Sequence, residues 1–456
     1  MMHRSCCRWF MLSLLVWVLS LRGEEKPLMR DFIGLNGHFR FKPELYKQVS
    51  RLARNYHNMN WDVKKPGDPI TFPHCVNKVN WDTHVYGKWV QEGFEVDLCA
   101  QFGGFGEGNK EYQTLWEGQE EWIFQYGHDM AEYFGPSGEK KLVTSIEIGN
   151  EPGNDFEDSL YQRLFMHMSR GIRNGDPAMK IVTATAHSGE ADRYSKSLEE
   201  SFSSPEILPL YDVINLHVYA VKAKKKGQSP WARSYPEDPK IDYLKTVDQT
   251  IAFRDKTAPD KEIWITEFGY DAATEAAKAK REGWAKKLNW QGVSDIQQAQ
   301  YLLRSIFCFA ERDLERAYIY FFDDSDKASV HAASGLTRNF KPKPAFWAVK
   351  HLQETLGDYR FRRIIRKEEG QAYVYEFAHG TRKDRLIWVA WSPTGEQLET
   401  EYTLPGVAPA LLRAERMPLE EKGGGPLALK RSPDGGILFT LTESPAYFVF
   451  DPTRLQ

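Results

Sequence analysis

Between residues 31 and 350, short apolar runs alternate with longer amphipathic stretches. Eight runs of four to seven residues, several rich in Val, Ile and aromatic residues, read as buried parallel strands. They are Asp31–Asn36, Arg54–Met59, Phe94–Ala100, Val143–Ile148, Lys180–Thr185, Asp212–Val218, Glu262–Phe268 and Ala317–Phe322. Between and after them, Leu160–Arg173, Tyr243–Arg254, Asp295–Arg312 and Pro344–Thr355 carry helical patterns. Eight βα units in one stretch predict an α/β fold of the closed (β/α)8 TIM-barrel type. An open doubly wound sheet is the alternative, but no Gly-rich phosphate loop follows the first strand. Gly103-Gly104-Phe105-Gly106 follows the third strand without a Lys-Ser/Thr pair, and reads as a loop at the barrel mouth.

The period changes near Tyr359. Short alternating runs follow at Gln371–Ala378, Arg385–Trp391, Glu399–Leu404, Gly436–Leu441 and Ala446–Phe450, separated by Gly- and Pro-rich turns. They predict a C-terminal antiparallel β-sandwich packed on the barrel. The expected organisation is a signal peptide over 1–20, a catalytic barrel over 27–355 and an accessory sandwich over 359–456.

The signal peptide follows from Arg4 and Arg8 ahead of an apolar run, Trp9 to Leu19, too short to span a bilayer comfortably. The expected location is secreted or periplasmic, with no membrane association after cleavage. Cys6 and Cys7 would leave with the signal. The remaining Cys75, Cys99 and Cys308 are an odd set and do not suggest a disulfide framework. A formal net charge of −3 argues against a nucleic-acid partner. The one basic cluster, Lys222 with Lys224, Lys225 and Lys226, reads as a solvated loop. The chain has 14 Trp and 21 Tyr, enough both to fill a large barrel and to offer flat faces to a sugar.

Two acidic residues carry the candidate chemistry. Ser145-Ile-Glu-Ile-Gly-Asn-Glu-Pro152 puts Glu151 just past the end of the fourth strand. Ile263-Trp-Ile-Thr-Glu-Phe-Gly-Tyr270 puts Glu267 at the end of the seventh. Barrel enzymes keep their catalysts at this C-terminal face. A carboxylate inside an apolar strand is costly to bury unless paired. Two of them at the ends of strands four and seven would face each other across the mouth, as retaining glycosidases require at about 5 Å.

Asn150-Glu151-Pro152 and Thr266-Glu267-Phe268-Gly269, on these strands and 116 residues apart, resemble the paired motifs of clan A of the glycoside hydrolases. The resemblance covers residues 31–350 at the level of strand order and motifs. It implies a retaining O-glycosyl hydrolase with Glu151 as general acid/base and Glu267 as nucleophile. It further implies that Arg54 contacts the nucleophile, that Asn150 binds a sugar hydroxyl, and that His217 and Tyr219, ending the sixth strand, lie near the bound sugar. Lys341-Pro342-Lys343-Pro344-Ala345-Phe346 is similar to the segment leading into the clan's last helix.

The eighth strand departs from the pattern, ending in Tyr318-Ile-Tyr-Phe-Phe322 where many clan members have Trp. Phe322 is the candidate for a smaller sugar platform. His57 and Trp61 are candidates for an outer sugar subsite. No pair of His at helical spacing with a carboxylate appears, so neither metal nor cofactor is expected. The expected partner is a carbohydrate. The sequence leaves open endo action on an extracellular polysaccharide, exo action on small β-glycosides, transglycosylation, and a catalytically silent sugar-binding barrel.

Overall fold

All eight apolar runs form strands in the computed structural model, which describes residues 25–73, 79–103, 105, 112–153, 156–222 and 231–455. The signal-peptide reading, Cys75, Gly104, Gly106 and Lys224 to Lys226 lie outside the described residues. The strands are β1 (Ile33–Gly37), β2 (Leu52–Asn58), β3 (Glu95–Gln101), β4 (Ser145–Ile148), β5 (Lys180–His187), β6 (Val213–His217), β7 (Glu262–Phe268) and β8 (Arg316–Ile319). Each pairs in parallel with the next, and β1 pairs with β8, so the sheet closes into a barrel. Closure removes both edges, which an open doubly wound sheet would keep.

Strand parity decides what faces the barrel interior. Leu52, Val182, Val213, Trp264 and Tyr318, one from each of five strands, form a small buried cluster of their own. Their neighbours Ala53, Ile181, Ile214, Ile263 and Ile265 belong instead to the large core between sheet and helices. Counting in twos from the inner layer carries Arg54 and Tyr56 on β2, and Asn215 and His217 on β6, to the interior. The same count on β7 would aim Glu267 outward with Ile263 and Ile265. A register shift between Ile265 and Glu267 against β6 breaks the alternation and returns Glu267 to the mouth.

The covering helices include α1 (Glu120–Phe134), α2 (Asp158–Gly175), α3 (Tyr243–Thr257), α4 (Asp295–Ala310) and α5 (Pro344–Leu356). Ser294 and Gln297 form a reciprocal cap on α4, and Pro344 occupies the first turn of α5. Among the described residues no helix is long and apolar enough to cross a membrane.

The C-terminal strands are β9 (Tyr359–Glu368), β10 (Ala372–His379), β11 (Leu386–Trp391), β12 (Thr400–Leu404), β13 (Leu411–Arg416), β14 (Lys430–Arg431), β15 (Ile437–Leu441) and β16 (Ala446–Phe450). They make two antiparallel sheets, ordered β9-β10-β11-β16-β13 and β12-β15-β14. Val374, Trp388 and Phe448 of the first share a buried cluster with Leu404, Phe439 and Leu441 of the second. Tyr375, Val389, Trp391 and Tyr447, on the other face of the larger sheet, belong to the barrel's core cluster.

Candidate active site

Glu267 ends β7 almost fully buried, with a side chain 6% exposed. Its Oε1 accepts from the Arg54 guanidinium at 3.1 Å and from the Tyr56 hydroxyl at 2.6 Å. Its Oε2 accepts from the Tyr219 hydroxyl at 2.7 Å. Burial alone would push this carboxyl up. The facing charges of His217 and Arg54 and the two phenolic donors outweigh it and hold Glu267 at about 2. Burial, then the Glu267 charge, push Tyr56 and Tyr219 well above the usual phenol range, so both keep the protons they donate.

Glu151 leaves β4 through Gly149, whose φ of 89° suits glycine. Its side chain is 29% exposed, and Oε1 lies 3.0 Å from His217 Nδ1. Ligand atoms of Glu151, His217 and Glu267 all fall within 4.8 Å of one another. The carboxylates from β4 and β7 therefore converge on one point.

His217 constrains where a proton resides. Its Nε2 lies 3.0 Å from Thr266 Oγ1, and that hydroxyl donates its only hydrogen to Asn215 Oδ1 at 2.5 Å. Thr266 can then only accept from His217, which places a hydrogen on Nε2. With Nε2 engaged by Thr266, Nδ1 is the ring atom that faces Glu151, at 3.0 Å from Oε1.

Arg54 is fully buried and joins both strands. It grips Glu147 through two nitrogens, at 2.6 and 2.7 Å, and also donates to Asn36 Oδ1 at 2.9 Å and to Asn150 Oδ1 at 2.8 Å. The planar fork suits a bidentate carboxylate. Because Asn150 Oδ1 already accepts from Arg54, its amide N–H groups are the side available to a ligand. Below this layer, burial and then the Glu147 charge push Asp97 up to about 7.

Of the sequence candidates, Glu151, Glu267, Asn150, Arg54, His217 and Tyr219 come together here. His57 does not. It is fully buried, bonded to Tyr86 and Asp62 at 2.7 and 2.6 Å and packed 4.4 Å from the Trp81 ring, so it presents no face to a sugar. Trp61 is partly buried and stacks on Trp81, edge-on to the exposed Phe39. Phe322 is 2% exposed and packs among His38, Phe41 and Tyr46, so the platform reading of this residue is corrected. The aromatic that β8 brings to the mouth is Tyr320, with ring centroids 6.4 Å from those of Tyr56 and Tyr219.

Sequence reasoning missed Asn36, Tyr56, Glu147 and Tyr320. The first three carried a usable signal: each lies in a barrel strand, and each shares the inner parity that Arg54 and Asp97 occupy. Two groupings among the described residues bring three potential metal ligands together. One is Glu151, His217 and Glu267, where Arg54 and the phenols already occupy Glu267. The other, His128, Asp129 and Glu132, lies along the outer side of α1. A cavity of about 290 Å³ opens at the opposite end of the barrel, among the Arg173–Asp212 and Lys180–Glu262 pairs. That end of a barrel serves stability rather than catalysis.

No protein-family model and no curated protein matches the chain. Solved structures do. A family 39 glycoside hydrolase from the gut symbiont Bacteroides cellulosilyticus WH2 aligns at a TM-score of 0.64 and 16% identity, over 93% of this chain and 81% of that one. A family 30 endoxylanase from Clostridium papyrosolvens C71 aligns at 0.57 and 12%, over 94% and 98%. A family 51 alpha-L-arabinofuranosidase from Bifidobacterium longum aligns at 0.56 and 12%, over 93% and 97%. The chain has the (β/α)8 fold of these enzymes, extended by antiparallel sheets.

Proposed function

We propose that this protein is a retaining glycoside hydrolase in which Glu267 is the nucleophile and Glu151 the general acid/base. The observation that carries the reading is the convergence of the two carboxylates to within 4.8 Å. That spacing suits direct attack on an anomeric carbon and leaves no room for the water that an inverting enzyme holds between its acids. Glu267, ionised and aimed by Arg54, Tyr56 and Tyr219, attacks the anomeric carbon of a β-glycoside. Glu151 gives its proton to the departing oxygen. It then takes a proton from water, which attacks the glycosyl-enzyme and frees the sugar with its configuration retained. Asn150, through its amide hydrogens, holds a hydroxyl of the sugar as charge develops at the reacting carbon.

The solved structures of like fold include an endoxylanase and an arabinofuranosidase, so the fold leaves the sugar open. We assign the substrate to an extracellular poly- or oligosaccharide, on the signal-like run ending at Leu19 and on the length of sequence that follows β6 and β7. In this reading a signal over 1–20 is removed, the barrel over 27–355 carries the chemistry, and the strands over 359–456 form a sandwich. The shared cluster between the two C-terminal sheets supports the last assignment.

The roles separate in one experiment. Glu151→Ala should retain turnover of aryl glycosides with very good leaving groups, should lose it on poor ones, and should be accelerated by azide with formation of a glycosyl azide. Glu267→Ala should be inert on both. Failure of azide to rescue Glu151→Ala would remove the assignment.

A further inference from the structure

Glu151 stands on the wall of a cavity of about 270 Å³ that Glu267 does not line. Its other walls include Gln101, Phe102, Asn150, Arg193 and Tyr194. A general acid delivers its proton to the leaving oxygen, so space beyond Glu151 and away from Glu267 receives the leaving group. The volume falls just below that of pockets enclosing a drug-sized molecule, and suits one sugar ring.

The loop that brings Arg193 and Tyr194 here is held in place. Asp192 Oδ1 accepts from the backbone N–H groups of Tyr194 and Ser195, both at 2.7 Å, and Asp192 N donates to Ser195 O at 3.0 Å. The loop also lies directly on the chain leaving Glu151. A Cβ on Gly153 would stand 2.0 Å from the Arg193 carbonyl oxygen. The backbone after Glu151 and the backbone of Arg193 are therefore in direct contact.

Among the described residues the guanidinium has no hydrogen-bond or ion-pair partner. The adjacent Asp192 carboxylate spends its oxygens on backbone and on His187, at 3.5 Å. Among the described residues no acidic side chain pairs with Arg193. Its Cζ lies 5.5 Å from the centroid of the Tyr194 ring, which is 52% exposed. A free cationic fork beside an exposed flat ring, on the wall of a sugar-sized cavity, has an evident complement.

We propose that this cavity is the leaving-group subsite, and that Arg193 selects there a sugar carrying an anionic substituent, a carboxylate or a sulfate ester. The guanidinium fork matches either anion. The Tyr194 ring offers its face to the apolar side of the sugar. The proposal rests on the glycosidase reading for the orientation of the cavity, and it names the substrate class that reading leaves open.

The test is binding to the full chain, by calorimetry or ligand-observed NMR, of three probes: methyl β-D-glucoside, methyl β-D-glucuronide and methyl β-D-glucoside 6-sulfate. The wild type should bind at least one charged probe about fivefold tighter than the neutral one, as an exposed ion pair near 1 kcal/mol provides. The ratio should fall to about one in Arg193→Ala, recover in part in Arg193→Lys, and shrink as salt is raised. Preference for only one charged probe identifies the anion. Arg193 is exposed, so an unchanged melting temperature should show that the variant is folded. Equal binding of charged and neutral probes, or a preference that survives Arg193→Ala, would overturn the proposal. Activity on aryl glycosides decides the glycosidase reading separately: turnover without anion preference sinks only the subsite, whereas anion preference without turnover sinks the hydrolase and the leaving-group role of the cavity, and leaves only selection of an anionic sugar by Arg193.

Discussion

At the scale of single residues, the account turns on donors aimed at one carboxylate. Glu267 is buried, yet Arg54, Tyr56, Tyr219 and His217 hold it near 2. Its folded value lies below its unfolded one. It therefore contributes stability that is present above about pH 4.5 and is lost as pH falls through 2. The same depression keeps Glu267 ionised throughout the mildly acidic range, as its proposed role of nucleophile requires. On the acid side, kcat/KM should stay level down to about pH 4. Tyr56→Phe removes the donor at 2.6 Å and should move the acid limb upward by about one pH unit, the equivalent of one hydrogen bond to a charged group. A wild-type acid limb near 5 would contradict the network. Much of this site was legible in the sequence, since Glu151 and Glu267 interrupt or end apolar strands. Glu147 breaks such a strand in the same way, but only the closed barrel reveals that it and Glu267 share one arginine. His57 was misread because a polar side chain at the rim looks the same in sequence whether it meets a ligand or the Asp62–Tyr86 pair.

At the scale of elements, two long helices cross unusually closely. A Cβ on Gly171 of α2 would stand 2.0 Å from the Phe124 carbonyl oxygen of α1, and one on Gly127 of α1 would stand 2.6 Å from Met168 O. Gly171→Ala must therefore push α1 and α2 apart and should cost roughly 1–3 kcal/mol, the range for overpacking, read in urea unfolding. A change within about 0.5 kcal/mol would show that the crossing relaxes freely. The same helix shows where pattern reading stops. α1 was not predicted, its sequence Glu120-Glu-Trp-Ile-Phe-Gln-Tyr-Gly127 mixing aromatics with a mid-helix glycine that only the crossing explains. Most of the barrel strands were legible because both their faces are buried and Val, Ile and Leu dominate them, although β2, Leu-Ala-Arg-Asn-Tyr-His-Asn, is largely polar. The unpredicted strands β9, β13 and β14 are all sheet edges. β9 reads Tyr-Arg-Phe-Arg-Arg-Ile-Ile-Arg-Lys-Glu, and charge is how exposed edges avoid further pairing. The bulge that turns Glu267 inward has no signature in the sequence, because alternation in a strand of buried residues cannot be seen.

At the scale of the whole molecule, the C-terminal sheets are part of the barrel's core. Phe307 of α4 packs against Phe377, Trp391 and Tyr447. Beside them the buried Arg304 joins Glu237 of the barrel to Glu443 of the C-terminal unit, and Trp391 Nε1 donates to Glu237 at 2.6 Å. Glu443 also accepts from Gln397 and Thr394. Removing one member of a buried, fully bonded ion cluster leaves the others uncompensated. Glu443→Ala should cost about 3–5 kcal/mol and still unfold in one transition, followed by tryptophan fluorescence and by loss of activity together. Two separated transitions would show units that fold independently. The claim beneath all of this is that two acids stand too close for a water to attack between them. Proton NMR of the first-formed sugar, recorded before mutarotation, tests it most directly. Release of the anomer with the substrate's own configuration is the predicted result, and release of the opposite anomer would contradict the account.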